Sequence, residues 1–328
     1  MERLITPVLA VLVTAVALAS LATGSSDVAV FSGLWHWLLG ETDASAIVMG
    51  EIRLPRTLLA LGVGAALGLA GAALQGLLRN PLADPSLTGA SQGAALGAAT
   101  VFYFGLLPWA GPFAPALAGL VGAGMALLLM LLLAGAGQSA LLILAGLAIS
   151  TLSGALLAAV LNFAPNPFAM QELVFWLLGS VSERGLEHLL VLMPALLIGG
   201  LLLRRQRRLL FGLSLGEAVA ETLGLKVRQG SRQVVLACAL LVGASVAVAG
   251  DIGFVGLLVP HLVRPLVRHR PDRLLLPSAL LGGLLVCLAD IAVRLLPAGR
   301  ELKLGVLTAL IGAPLFIWLV CRERQRWN

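Results

Sequence analysis

Residues Arg204–Arg232 read RRQRRLLFGLSLGEAVAETLGLKVRQGSR, the largest polar island in a chain built mostly of long apolar runs. Arg204, Arg205, Arg207 and Arg208 open it, and Lys226, Arg228 and Arg232 close it. Basic side chains concentrate on the cytosolic side of membrane proteins, so the island marks that side. Its middle has the marks of a short helix outside the lipid. Ser214 and Glu217 stand at capping-box spacing, where the hydroxyl accepts an orphan N–H and the carboxylate reaches back. Gly224 suits the left-handed residue that ends a helix. Leu215, Val219 and Leu223 recur at i, i+4 and i+8 as one apolar stripe, with Glu217 and Glu221 on a different face. The pattern is compatible with a docking surface for a cytosolic protein, and equally with a connecting loop that holds one helical turn.

Outside the island, the composition sets the class. The 328 residues are 59% hydrophobic and 12% charged, against about 25% charged in soluble domains, and the mean hydropathy is +1.00. The chain is expected to be an all-α polytopic membrane protein, a single transmembrane domain over 1–328 with its cytosolic segment at about 204–232. Thirty-eight glycines suit membrane helices packed backbone to backbone. The net charge of +6 is explained by loop arginines that set topology, and no aromatic-interleaved basic patch points to nucleic acid. Cys238, Cys287 and Cys321 form neither a CxxC pattern nor a disulfide framework and read as packing residues. The P-loop pattern is absent, since Lys226 and Lys303 lie outside any such context, and HExxH and GxSxG are absent too. No catalytic residue is expected in this chain.

Ten spans are expected: Leu4–Ala22, Leu54–Leu78, Gly89–Leu107, Phe113–Ala134, Ala140–Leu161, Leu189–Leu203, Val234–Ala249, Ile252–Val267, Leu274–Leu296 and Leu304–Val320. With the N-terminus inside, only Arg53, Arg56, Arg184, Arg294, Arg300 and Lys303 of the 22 basic residues fall on the outer side, which puts both termini in the cytosol. Leu4–Ala22 also fits a signal peptide; retention as the first span is expected from the resemblance below. Ser25–Glu51 is a long outer loop carrying Asp27, Glu41, Asp43 and Glu51. The turn Ala164-Pro165-Asn166-Pro167 and the short run Met170–Leu178 suggest a helix resting near the outer surface.

Three blocks carry a family resemblance. The first is Arg53-Leu54-Pro55-Arg56, then Gln75 and Arg79-Asn80-Pro81-Leu82-Ala83-Asp84-Pro85 with Gly89. The second is Gly250-Asp251-Ile252-Gly253-Phe254-Val255-Gly256-Leu257 with Pro260-His261 and Arg264. The third is Leu276-Pro277, Asp290, Arg294, Glu301, Gly305, Thr308, Ala309, Gly312, Pro314 and Phe316. In order and spacing these resemble the permease subunits of bacterial iron-chelate and vitamin B12 ABC importers, over nearly the whole chain. The resemblance implies a type II importer permease of about ten transmembrane helices. It also implies a homodimer, multi-pass in the bacterial inner membrane and in contact with membrane lipid. Its partners would be a separate cytosolic ATP-binding subunit, which carries ATP and Mg, and a periplasmic substrate-binding protein. The implied cargo is a metal chelate, with a ferric siderophore first, then haem and cobalamin.

Roles follow from the same resemblance. Ser214, Leu215, Glu217, Val219, Glu221, Leu223 and Gly224 would form the segment that couples to the ATPase. Arg53, Arg56 and Arg294 would pair with acidic residues of the binding protein, a task suited to guanidinium forks; snorkelling or topology is the alternative for the first two. For Arg294 the alternative is an intramembrane pair with Asp290 at i, i+4. Asn80, Leu82 and Ser139 would sit at the cytosolic gate, with Asn80 equally readable as a turn residue. His261 reads as a structural histidine, and His36 and His188 as outer-loop histidines; no metal site is expected. Two other classes would place different demands on the sequence. An ion-coupled secondary transporter would depend on an embedded acid such as Asp290, and an intramembrane enzyme would need a nucleophile facing a base.

Overall fold

A computed structural model describes residues 2–24, 26, 28–134, 139–163, 167–296 and 302–327. Asp27, the turn at 164–166, Arg300 and Glu301 lie outside the described residues. Those described form helices and connecting turns with no strand. In chain order the helices are α1 (Glu2–Ala22), α2 (Val30–Leu38), α3 (Ala44–Ile47), α4 (Leu54–Leu77), α5 (Ala90–Phe104), α6 (Ala114–Ala134), α7 (Ser139–Asn162), α8 (Pro167–Leu177), α9 (Leu189–Arg205), α10 (Arg207–Ser214), α11 (Glu217–Thr222), α12 (Val227–Ala249), α13 (Val255–Val263), α14 (Pro271–Leu295) and α15 (Leu304–Trp327).

Among the described residues, seven helical stretches are long and apolar enough to cross a membrane: Leu4–Ala22, Ala44–Leu77, Ala114–Ala134, Leu144–Asn162, Leu186–Arg205, Val227–Ala249 and Pro271–Leu295. The three remaining expected spans coincide with α5, α13 and the apolar part of α15, Leu304–Trp318. The eighth differs most from its expectation. Gly250 at φ 71 and Phe254 at φ 67 break the helix, so only Val255–Val263 is helical within the expected Ile252–Val267. A π-helical turn over Val48–Arg53 joins α3 to α4, which lengthens that element outward beyond the expected Leu54.

Helix α4 is the axis of the bundle. Of its most apolar window 83% is buried, against 17% for α1 at the periphery. It packs on α14, α12, α13 and α9, and its glycines decide how closely. A Cβ on Gly64 would lie 2.2 Å from the Gly282 carbonyl oxygen, on Gly68 2.3 Å from that of Ser278, and on Gly71 1.9 Å from that of Gly256. Backbones at this separation exclude any side chain, which is how small residues hold membrane helices together where lipid tails remove the hydrophobic drive.

Helix α8, the short run expected near the outer surface, is anchored to the bundle. Its C-terminal end is tied into the bundle: the Asp251 N–H donates to the Leu177 carbonyl (3.4 Å), Ser180 N–H to Ala249 (2.7 Å) and Gly305 N–H to Gly179 (3.2 Å). Leu173 is 1% exposed. The ends of α8 and α12 and the start of α15 therefore meet at one point. Gly179 and Gly305 leave room there for the carbonyl of Asp251, 2.4 Å from a Cβ on either.

Candidate functional site

The polar island, expected on the cytosolic side, builds one end of the bundle. Helix α9 ends at Arg205, the chain bends at Gln206, and α10 follows. Ser214 is the last residue of α10, and its hydroxyl donates back to the Phe211 carbonyl (2.6 Å). This corrects the expected capping box: Ser214 cannot cap the next helix while it closes the previous one. The N-cap of α11 is Gly216 at φ 116, ψ 150, with no side-chain cap. That backbone conformation favours glycine, so a tight turn replaces the hydroxyl cap.

The other end of α11 is as expected. Gly224 has φ 76; its N–H donates to Glu221 (2.8 Å) and that of Leu225 to Ala220 (3.1 Å). This paired 5→2 and 6→1 arrangement is a Schellman stop. Ala220 faces inward, fully buried, while Leu215, Val219 and Leu223 are 53%, 43% and 60% exposed. Glu217 and Glu221 are exposed as well. The expected single helical stripe is therefore broken at Gly216, with Leu215 closing α10 and Leu223 closing α11, but all three side chains stand uncovered in the single chain.

At the inner end of α4, Asn80 makes a turn: its Oδ1 accepts from the Leu82 N–H (2.9 Å) and its carbonyl from the Ala83 N–H (3.2 Å). Asn80 and Leu82 are half-buried, and both line a small cavity with Leu74, Met130 and Val235. Ser139 begins α7, and its side chain lies outside the described residues. Sequence reasoning gave Gln75 and Arg264 no role, yet they clamp this end. Gln75 donates to the Leu257 carbonyl (3.1 Å) and accepts from Arg264 (2.7 Å), which ties α4 to α13. A lone buried glutamine in an otherwise glycine, alanine and leucine helix was the available signal.

At the outer ends of α1, α4 and α14 lies a charge cluster. Arg294 reaches Asp290 across one helical turn (2.7 Å), the pairing the sequence offers as an alternative. Arg56 adds a fork to the same carboxylate, Nε to Oδ1 and Oδ2 at 2.9 and 3.1 Å and Nη2 to Oδ1 at 2.9 Å. Arg294 also donates to the carbonyls of Ser20 (2.9 Å) and Thr23 (3.0 Å), and Ser20 shares a 2.7 Å hydrogen bond with Thr57. Arg53 donates to the carbonyls of Leu21 (2.9 Å), Val28 (3.4 Å) and Ser26 (2.5 Å) and is 3% exposed. All three guanidiniums expected at a docking surface are therefore turned inward in this conformation, because buried carbonyls and Asp290 supply their acceptors.

The outer loop holds a second cluster that sequence separation hid. His36 Nδ1 lies 3.0 Å from an Asp43 oxygen and 3.5 Å from a Glu41 oxygen, and the Ser45 hydroxyl donates to Asp43 (2.6 Å). These three residues offer donor atoms within 4.8 Å of one another, a set able to take a divalent cation. With protons instead of a metal, it is a clasp between α2 and α3. The Asp43 hydrogen bond, aided by the charges of Glu41 and Asp43, raises His36 above its ordinary 6.5. Hydrogen bonds from Ser45, His36 and Ala46 hold Asp43 down at about 2, below its ordinary 3.8. The raised His36 contributes stability below pH 6.5 that is lost as pH rises through its folded value; Asp43 contributes above pH 3.8 and loses it as pH falls toward 2. The clasp is expected to be tightest between those two ordinary values. Histidine-labelled NMR of Asp43→Asn should show His36 titrating lower than in the wild type; an unchanged midpoint would dismiss the clasp. His188, by contrast, faces Glu187 (3.3 Å), and His261 is half-buried in α13 behind Pro260.

The chain is similar to known proteins over nearly its whole length. The profile of the FecCD transport family matches residues 11–322. The hemin transport system permease protein HmuU of Yersinia pestis is 40% identical over 333 residues, covering 99% of this chain and 97% of that protein. The vitamin B12 import system permease protein BtuC of Vibrio cholerae is 42% identical over 279 residues, covering 84% and 83%. A solved structure described as an inward-facing conformation of a metal-chelate type ABC transporter superposes with a TM-score of 0.87 at 33% identity, covering 98% of this chain and 99% of that one.

Proposed function

The chain belongs to the FecCD transport family, and from that premise we propose that it is the membrane-spanning subunit through which a metal-bearing macrocycle enters the cell, haem first and cobalamin second. That it is an ABC-importer permease of the metal-chelate, haem and B12 group follows from the family match and from relatives that align over nearly its full length. The preference for haem rests on the hemin permease, which aligns over 99% of the chain. The ferric siderophore favoured by the sequence reading is named by neither the hemin nor the vitamin B12 permease and becomes the third cargo to test.

ATP would be hydrolysed on a separate subunit, consistent with the missing P-loop. The exposed side chains of Leu215 after α10, Val219 on α11 and Leu223 at its end are the surface that supports such a partner. A homodimer in the inner membrane, with termini in the cytosol and a binding protein docked outside, completes the reading. Arg53, Arg56 and Arg294 would serve that docking by fixing the outer ends of α1, α4 and α14. For a direct contact, a partner's carboxylate would have to displace Asp290 or a backbone carbonyl. The turn at Asn80 and Leu82, with Ser139, would lie at the inner gate. The ion-coupled alternative, which would depend on Asp290, is disfavoured because that carboxylate is 1% exposed and already engaged by two arginines.

Proteoliposomes containing this chain, its ATP-binding subunit and its binding protein should accumulate haemin with ATP and not with a proton gradient alone. Accumulation of cobalamin or a ferric siderophore instead would change the cargo and keep the class. Uptake driven by the gradient without ATP would overturn the class.

A further inference from the structure

We propose that the crevice between α1, α9 and α14 binds an anionic glycerophospholipid of the cytosolic leaflet. The proposal rests on the chain spanning a bilayer and is independent of its cargo. The crevice has a volume of about 690 Å³. Its walls are apolar, formed by Ala65 and Leu69 of α4, Leu196 and Gly200 of α9, and Leu276 and Ala279 of α14. Its mouth is lined by Arg204, Arg207 and Arg273, with one carboxylate, Asp272, among them. That carboxylate is already held by Arg270 through a fork of 3.1 and 2.9 Å. Arg207 is oriented by donating its Nε–H to the Asp272 carbonyl (2.6 Å).

Two features select a lipid over other anions. A free phosphate would use the mouth and leave the apolar walls uncovered, whereas an acyl chain fills them. Gly200 makes the room, since a Cβ there meets only Leu69 Cδ2, at an ordinary 3.6 Å. The neighbouring Leu197 and Leu201 of α9 and Leu276 of α14 are 67%, 51% and 58% exposed, as expected of surface that faces lipid. Basic pockets between transmembrane helices at the cytosolic level are suited to anionic head groups, and each arginine there adds attraction to a phosphate. Anionic character rather than a zwitterionic head group follows from Arg204 and Arg207, whose charge is not balanced by Asp272 at the mouth, because Arg270 holds that carboxylate.

The test is native mass spectrometry of the purified full chain, titrated with phosphatidylglycerol or with phosphatidylcholine of the same acyl chains. Phosphatidylglycerol should be retained as a one-to-one adduct with a preference of about tenfold. The triple variant Arg204→Gln, Arg207→Gln, Arg273→Gln should lose that preference. Gly200→Leu should lose the adduct with every charge intact, which separates a seated lipid from diffuse attraction to a basic surface. Arg205→Gln with Arg208→Gln, which removes two charges from the adjoining cleft, should leave it unchanged. Equal retention of the two lipids overturns the proposal. So does a control double as damaging as the triple, or full retention by Gly200→Leu. If Gly200→Leu fails to fold by circular dichroism, the arginine triple against the control double decides alone.

Discussion

Asp290→Asn is expected to destabilise the folded subunit by about 3–5 kcal/mol, the usual result of removing one partner from a buried ion cluster. The carboxylate is 1% exposed and carries both Arg56 and Arg294. Without it, two guanidiniums remain side by side in a site with little water. The asymmetry of the cluster supplies a control. Arg294→Gln leaves one cation facing one anion, so it should cost less, even though Arg294 also donates to Ser20 and Thr23. Thermal unfolding in detergent, followed by tryptophan fluorescence, ranks the two. An Arg294→Gln protein as unstable as Asp290→Asn would show that the carbonyl contacts, not charge balance, hold the ends of α1, α4 and α14 together.

The second large effect is expected at the cytosolic face. Leu215→Asp, Val219→Asp and Leu223→Asp together should weaken capture of the ATP-binding subunit at least about thirtyfold, the equivalent of about 2 kcal/mol at an interface hot spot. The melting temperature of the isolated chain should barely move, because these side chains are already in solvent and surface changes usually stay within about 0.5 kcal/mol. Glu217→Ala with Glu221→Ala is the comparison. Charges at an interface rim act mainly on association rate and salt dependence, so equilibrium capture should fall far less. If the acidic pair proves the more damaging, the acidic face and not the leucine stripe contacts the partner.

The structure changed several readings for identifiable reasons. The capping-box spacing at Ser214 and Glu217 is genuine, but Leu209, Leu210 and Leu213 bury α10 against the bundle and draw Ser214 into that helix instead. The eighth span is apolar enough along its length, yet Gly250 and Phe254 sit at positive φ and leave nine helical residues. Arg53 looks free in a sequence because its acceptors are mostly backbone carbonyls, which every residue carries and no motif displays, and Arg56 because its acceptor Asp290 lies 234 positions away. His36, Glu41 and Asp43 fall within eight positions, but only the turn between α2 and α3 brings their donor atoms together.

By itself, the sequence determined what depends on local chemistry: the positions of most spans from apolar run length and the stop at Gly224. Hydropathy and backbone propensity act over a few residues and can be read there. The tertiary structure alone decided what depends on contacts between distant segments. Arg56 meets Asp290 across 234 positions, Gly64, Gly68 and Gly71 find their backbone neighbours on α14 and at the start of α13, and the arginines of the polar island surround the mouth of an apolar crevice. An ion pair or a close backbone approach is fixed by how whole helices pack, and a single helix does not record which neighbour its polar face will meet.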